Sequence, residues 1–325
     1  MSAEKNILKG KIIRGIAGFF DVRVHDGEVY RCRARGNFRK AGVRPIVGDE
    51  VSFEITHDRD KEGNVTGLFP RKNELIRPPV ANVDQALLIF AHSHPEISHY
   101  LLDRFLVMLR QKNIPAVLIF NKSDLVSASE IRKTLDIYKG AGCDILSVSV
   151  RLGTGLDELA ELLLGKTSVA AGPSGVGKSS LINVLNEKAC METGELSKKI
   201  ERGKNTTRHS ELFDISADFF SDIVSVTDNK EKINSSYICD TPGFASLKPT
   251  NIEAADLHKY YPEFKKYEND CKFAGCTHIF EPGCAVKEAL SEKKISDVRY
   301  AAYKLFFDEL SGDRPVYVKK HKDSR

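Results

Sequence analysis

The sequence predicts a multidomain α/β protein in three successive pieces. These are a small β-barrel over residues 1–77, an α/β domain on a parallel sheet over 78–248, and a helical piece with a Cys/His cluster over 249–325. Three observations support this. Residues 1–77 alternate apolar and polar side chains between turn signals, with no long helical period. From Val83 onward, short apolar runs alternate with helix-period segments. Between Cys271 and Cys284, three cysteines and one histidine fall within fourteen residues.

In the first piece, "GFFDVRVHDGEVYRCRARG" alternates around Asp26-Gly27, a hairpin signal, and "IVGDEVSFEI" reads as a strand after a turn. The oligonucleotide-binding barrel is the leading type, with a generic β-sandwich as the alternative. Pro78-Pro79 ends regular pairing and marks a boundary. In the second piece, "VDQALLIFA" is a buried strand. "SHYLLDRFLVMLRQKN" follows, with Ser98 as cap and Leu101, Leu102, Phe105, Leu106 and Leu109 at helical spacing. "PAVLIF", "CDILSVSV" and "TSVAA" are further strands, "GLDELAELLLG" is a helix, and another helix starts near Lys178. Residues 214–236 are polar and serine-rich and read in part as a loop or hairpin. In the third piece "DVRYAAYKLFFDEL" has helical spacing.

The 325 residues carry 41% hydrophobic and 29% charged side chains, which suits globular domains. No apolar run approaches the ~20 residues of a membrane helix, and the N-terminus lacks an apolar signal core. The expectation is a cytoplasmic protein with no membrane partner. Net charge is only +4, but residues 1–77 hold 16 Lys/Arg against 11 Asp/Glu. That excess is either a solvated basic face or a footprint for a phosphate backbone.

Three motifs carry nucleotide chemistry. Gly172-Pro173-Ser174-Gly175-Val176-Gly177-Lys178-Ser179, with Ser180 behind it, fits the phosphate-loop pattern between a strand and a helix. Its glycines let backbone N–H groups turn toward phosphate oxygens, Lys178 reaches the β/γ-phosphates, and Ser179 is placed for Mg²⁺. Asp240-Thr-Pro-Gly243 ends a short strand, where Asp240 would hold Mg²⁺ and the Gly243 N–H would meet a γ-phosphate. Asn121-Lys122-Ser123-Asp124 follows a strand and suits guanine. A carboxylate accepts from both the ring N–H and the exocyclic amine of guanine, whereas adenine would leave Asp124 unpaired. Ser149, in Val148-Ser149-Val150, lies where its backbone could meet the base edge. Between loop and DTPG, Thr207 or its neighbour Thr206 offers a hydroxyl to Mg²⁺.

Cys271-x4-Cys276-x-His278-x5-Cys284 supplies a full tetrahedral donor set for one structural Zn²⁺, with no coordination position left for catalysis. His92, His94 and His99 have no fourth ligand nearby and read as a solvent loop.

The chain order is thus NKSD, phosphate loop, Thr loop, DTPG, the reverse of the usual order for the first two. Joining the ends of an ordinary nucleotide domain and reopening it elsewhere gives this order without changing the sheet. With a barrel before it and the cluster after it, the arrangement resembles the ribosome small-subunit-dependent GTPase A family. "RARGNFRKAGVRPIVGDEV", "NVDQALLIFA" and "GPSGVGKSSLIN" also look like segments of that family. The resemblance implies an OB-type barrel, a circularly permuted P-loop GTPase domain and a zinc domain. It implies a GTPase that turns GTP into GDP and phosphate, binds the 30S subunit and its 16S rRNA late in assembly, and is stimulated by the subunit. A monomer is expected. Two other readings stay open: an RNA-binding scaffold with a structural nucleotide, and a permuted GTPase of the large subunit. Lys178 and Thr207 are the expected catalytic residues. The family usually carries a His before the Thr pair, where this chain has Asn205, and Phe244 stands where many GTPases place a water-orienting Gln. An apolar ring cannot orient water, so slow intrinsic hydrolysis is expected.

Overall fold

A computed structural model describes residues 7–34, 38, 42–76, 79–186, 211–221, 228–240 and 252–312. The described residues fall in two compact units, within Met1–Ile97, Leu109–Ile131 and Cys143–Leu247, and within Ser98–Met108, Arg132–Gly142 and Lys248–Arg325. The second unit is discontinuous in sequence.

In the first unit, β1 (Ile7–Ile16), β2 (Phe19–Arg23), β3 (Val29–Ala34), β4 (Glu50–His57) and β5 (Glu62–Leu68) form a closed barrel in the order β1-β2-β3-β5-β4. Only the β3–β5 pair is parallel. Closure leaves no free sheet edge and identifies the oligonucleotide-binding topology rather than a sandwich. Alternation does the work: Ile12, Val22, Cys32, Val51, Phe53 and Val65 are fully buried inside, while their sequence neighbours face outward. β6 (Glu74–Ile76) and β7 (Pro79–Ala81) form a small two-stranded sheet. Pro79 therefore does not end pairing. It begins β7 opposite Ile76, an edge position where its missing N–H is tolerated.

The same unit contains a six-stranded sheet in the order β10-β9-β8-β11-β13-β12. Its strands are β8 (Gln85–Ala91), β9 (Ala116–Asn121), β10 (Asp144–Ser147), β11 (Thr167–Ala171), β12 (Leu212–Asp214) and β13 (Tyr237–Asp240). All neighbours pair in parallel except β12 with β13. Every residue of β8 and β11 is buried, as expected for a parallel sheet covered on both faces. Helices α1 (His99–Gln111), α2 (Ala128–Tyr138), α3 (Leu156–Leu163) and α4 (Lys178–Leu185) follow β8, β9, β10 and β11. Leu159 and Leu163 of α3 and Leu181, Ile182 and Leu185 of α4 join Leu87, Ile89, Ile119 and Ile238 in one core. Each such burial contributes about 2 kcal/mol. The stretch 214–236, read in part as a loop or hairpin, begins at the last residue of β12 and holds the short helices Ala217–Phe220 and Lys230–Asn234, which bury Phe220 and Ile233.

In the second unit, short 3₁₀ turns over Ala254–Tyr260, Pro262–Phe264 and Glu268–Asp270 precede α5 (Ala285–Ser291) and α6 (Asp297–Leu310). Its core is aromatic: Tyr261, Phe264, Tyr303 and Phe306 are buried with Cys276 and Cys284. Arg299 is fully buried, bonding Glu263 at 2.8 Å and pairing with Asp103, which also accepts from the Tyr261 hydroxyl.

Candidate nucleotide site and Cys/His centre

All motif-bearing strands run parallel, so their C-terminal ends share one edge of the sheet. Asn121 is the last residue of β9, Ser149 follows β10, Gly172 follows β11 and Asp240 ends β13. Residues 172–177 form the turn into α4, and Lys178, Ser179 and Ser180 lie in its first turn. Thr206, Thr207, Asn205, Gly243 and Phe244 lie outside the described residues.

The Asn121–Asp124 tetrad and the phosphate loop meet directly. Asn121 Nδ2 donates to the Val176 carbonyl at 2.9 Å, and its Oδ1 accepts from Val150 N–H at 3.2 Å. Lys122, in the left-handed region at φ 64°, donates to the Gly175 carbonyl at 2.7 Å and to that of His94. The glycines make room for this. Gly177 has φ 97°, and a Cβ there would lie 2.3 Å from Asn121 Nδ2. Gly172 has φ 149°, and a Cβ would lie 2.0 Å from the Ile89 carbonyl oxygen. Only glycine fits either position.

Asp124 receives the Ser149 hydroxyl at 2.6 Å and lies 3.9 Å from the exposed Arg151 guanidinium. Ser149 therefore meets Asp124 through its side chain, while its backbone N–H bonds the Thr154 carbonyl at 2.9 Å. Arg151 and the His94 carbonyl carry no motif signal and emerge only in three dimensions. Lys178 Nζ donates to the Pro173 carbonyl at 2.7 Å, folded back over its own loop. Burial pulls its ammonium below the ordinary value, and the Asp240 carboxylate pulls it up. A half-buried cation facing a glycine-lined turn at a helix N-terminus is suited to phosphate oxygens.

Of the three histidines after β8, His94 is exposed in the loop, while His92 and His99 are partly buried and meet protein partners. His92 Nε2 lies 2.8 Å from Ser147 Oγ, and His99 Nδ1 lies 2.7 Å from the Tyr138 hydroxyl.

The second unit brings Cys271, Cys276, His278 and Cys284 together, with ligand atoms all within 4.8 Å of one another. Cys271 Sγ lies 3.9 Å from Cys284 Sγ, and His278 Nδ1 lies 3.6 and 3.4 Å from those two sulfurs. A tetrahedron with ordinary zinc bond lengths has S–S edges of about 3.8 Å and N–S edges of about 3.5 Å. The donor set fits Zn²⁺. Burial pushes the Cys276 thiol up to about 12 and His278 down to about 4. These groups stay neutral unless a cation draws off the thiol protons. The knuckle is braced from outside. Glu281 accepts the Thr277 N–H and hydroxyl at 2.8 and 2.7 Å, and Tyr300 donates to the His278 carbonyl at 2.6 Å.

A mostly parallel sheet whose strand ends carry the Asn121–Asp124 tetrad, the phosphate loop and a terminal Asp, in rotated chain order, is a circularly permuted P-loop GTPase domain. The RsgA GTPase family matches residues 68–250, and the RsgA N-terminal domain matches residues 9–65. The chain belongs to the RsgA GTPase family and is a GTP hydrolase. It is 46% identical over 313 residues to the small ribosomal subunit biogenesis GTPase RsgA of Agathobacter rectalis, covering 93% of this chain and 98% of that protein. The protein of the same name from Bacillus anthracis is 42% identical over 313 residues, covering 95% and 99%. The crystal structure of YjeQ from Thermotoga maritima superposes with a TM-score of 0.74 at 34% identity, over 95% of this chain and 100% of that one. The crystal structure of YloQ, a circularly permuted GTPase, gives 0.73 at 34% identity, over 98% and 99%. Among the described residues, no helix is long and apolar enough to cross a membrane.

Proposed function

We propose that this GTPase binds the 30S ribosomal subunit, assists its late maturation, and hydrolyses GTP faster when the subunit is bound. The observation that carries this reading is the convergence of Asn121, Lys122 and the phosphate loop on one sheet edge. The relatives' names as small-subunit biogenesis GTPases support the choice of partner. Residues 1–77 act as the RNA-binding barrel, 78–248 as the GTPase domain and 249–325 as the zinc domain, with 16S rRNA as the surface engaged. The protein works as a cytoplasmic monomer.

Asn121 braces the loops, while Lys122, Ser123 and Asp124 read guanine. The backbone of 172–177 and the first turn of α4 through Ser180 cradle the phosphates, and Lys178 neutralises charge that develops on them. Ser179, Thr207 and Asp240 would hold Mg²⁺, and Gly243 would contact the γ-phosphate. Bound Mg²⁺ supplies charge neutralisation at the phosphates. Cys271, Cys276, His278 and Cys284 would hold one structural Zn²⁺, tying the loop between them to the aromatic core of their unit. Lys178→Ala tests the site. Turnover is expected to fall by two orders of magnitude or more, of the order attributed to one lost charge-stabilising group. Unchanged GTP hydrolysis would refute the assignment.

A further inference from the structure

We propose that Lys11 and Arg23 of the barrel are positioning residues for the GTPase reaction, because they set the register of the strand that carries Asp240. This rests on the reading of Asp240 as a Mg²⁺-holding residue.

β13 has only four residues and its outer neighbour β12 only three, so few backbone bonds fix where Asp240 lies along the sheet. Thr167 of β11, Tyr237 of β13 and Asp214 of β12 pair across three strands as one row. The barrel grips every member of that row. Lys11 Nζ donates to Thr167 Oγ1 at 3.1 Å and stands 5.3 Å from the centre of the Tyr237 ring. The Arg23 guanidinium lies 5.9 Å from the same ring and forms an ion pair with Asp214. Tyr237 is buried and Lys11 and Arg23 are mostly so, which strengthens cation–π attraction over its solvent-exposed value.

The other end of the ladder is the reacting end. Ala170 pairs with Asp240, and Ala171 leads into Gly172 of the phosphate loop. From Tyr237 to Asp240 is about 10 Å of rigid strand. A slip of one residue in so short a strand would turn Asp240 to the opposite face of the sheet. The barrel is therefore a structural part of the hydrolytic site as well as a domain joined to it. In the sequence Lys11 and Arg23 are indistinguishable from the rest of the basic excess of residues 1–77.

The test uses the full-length protein and measures GTP turnover against Mg²⁺ concentration. Affinity for a fluorescent GDP in EDTA and the thermal midpoint are measured alongside. Arg23→Ala and Lys11→Gln are expected to raise the Mg²⁺ concentration at half-maximal rate at least threefold and to lower kcat. GDP affinity in EDTA should stay unchanged, and Arg23→Lys should restore part of the loss. An unchanged Mg²⁺ dependence in both variants overturns the proposal, even if kcat or the thermal midpoint falls. If one variant fails to fold, the other decides. Asp240→Asn is run in parallel. If that change leaves the Mg²⁺ dependence intact, the reading of Asp240 fails, independently of the barrel variants.

Discussion

At the scale of single residues, the candidate site is governed by what each position leaves room for. Gly177 must keep a left-handed backbone and leave space for Asn121. Gly177→Ala is expected to cost about 1–2 kcal/mol of backbone strain and to push Asn121 off the Val176 carbonyl. GDP affinity by fluorescence titration should drop at least tenfold. Asp124 offers two acceptor oxygens, and Asn offers one acceptor and one donor group. Asp124→Asn should weaken GTP binding by about 10- to 100-fold, the cost of a mismatched buried polar pair. It should improve binding of xanthosine triphosphate, whose second carbonyl accepts where guanine donates. Equal GTP affinity in wild type and Asp124→Asn would show that Asp124 does not read the base. The four-residue motifs were readable from sequence because phosphate and base chemistry restrict residue type. Arg151 and the His94 carbonyl were not, because their roles depend on where loops from different strands end.

At the scale of elements, the second unit depends on a buried ion cluster and on its Cys/His centre. Asp103 and Arg299 are both fully buried. Asp103→Ala leaves the guanidinium short of one partner and is expected to cost about 3–5 kcal/mol in denaturant unfolding. Changing both residues to apolar ones of similar volume should cost much less. If Cys271, Cys276, His278 and Cys284 hold zinc as proposed, a chelator should abolish hydrogen-exchange protection across α5 and the Tyr261–Phe264 segment, because the metal would close the loop between Cys271 and Cys284. Full protection without metal would show that the aromatic core suffices. The parallel strands were legible as apolar runs, and helices α1, α3 and α6 by their spacing, whereas α2 was not foreseen. The 3₁₀ turns over 254–270 were not, since segments of three to seven residues carry no usable period. β7 was missed because a proline at an edge looks like a breaker.

At the scale of the whole molecule, rotation of the chain order was the most legible feature. Motif order survives in sequence even when the sheet is unchanged. The discontinuous composition of the second unit was not legible, because residues 98–108 read as an ordinary helix between strands and nothing in 132–142 marks it as part of a separate unit. The grip of Lys11 and Arg23 on the sheet was equally hidden, being a contact between residues more than 150 positions apart. At this scale the proposed function turns on coupling of hydrolysis to the small subunit. The direct test is steady-state GTP turnover titrated with purified 30S subunits, with 50S subunits as control. The expected result is slow intrinsic turnover that rises saturably with 30S and stays flat with 50S. A rate indifferent to 30S, or raised equally by 50S, would refute coupling to the small subunit.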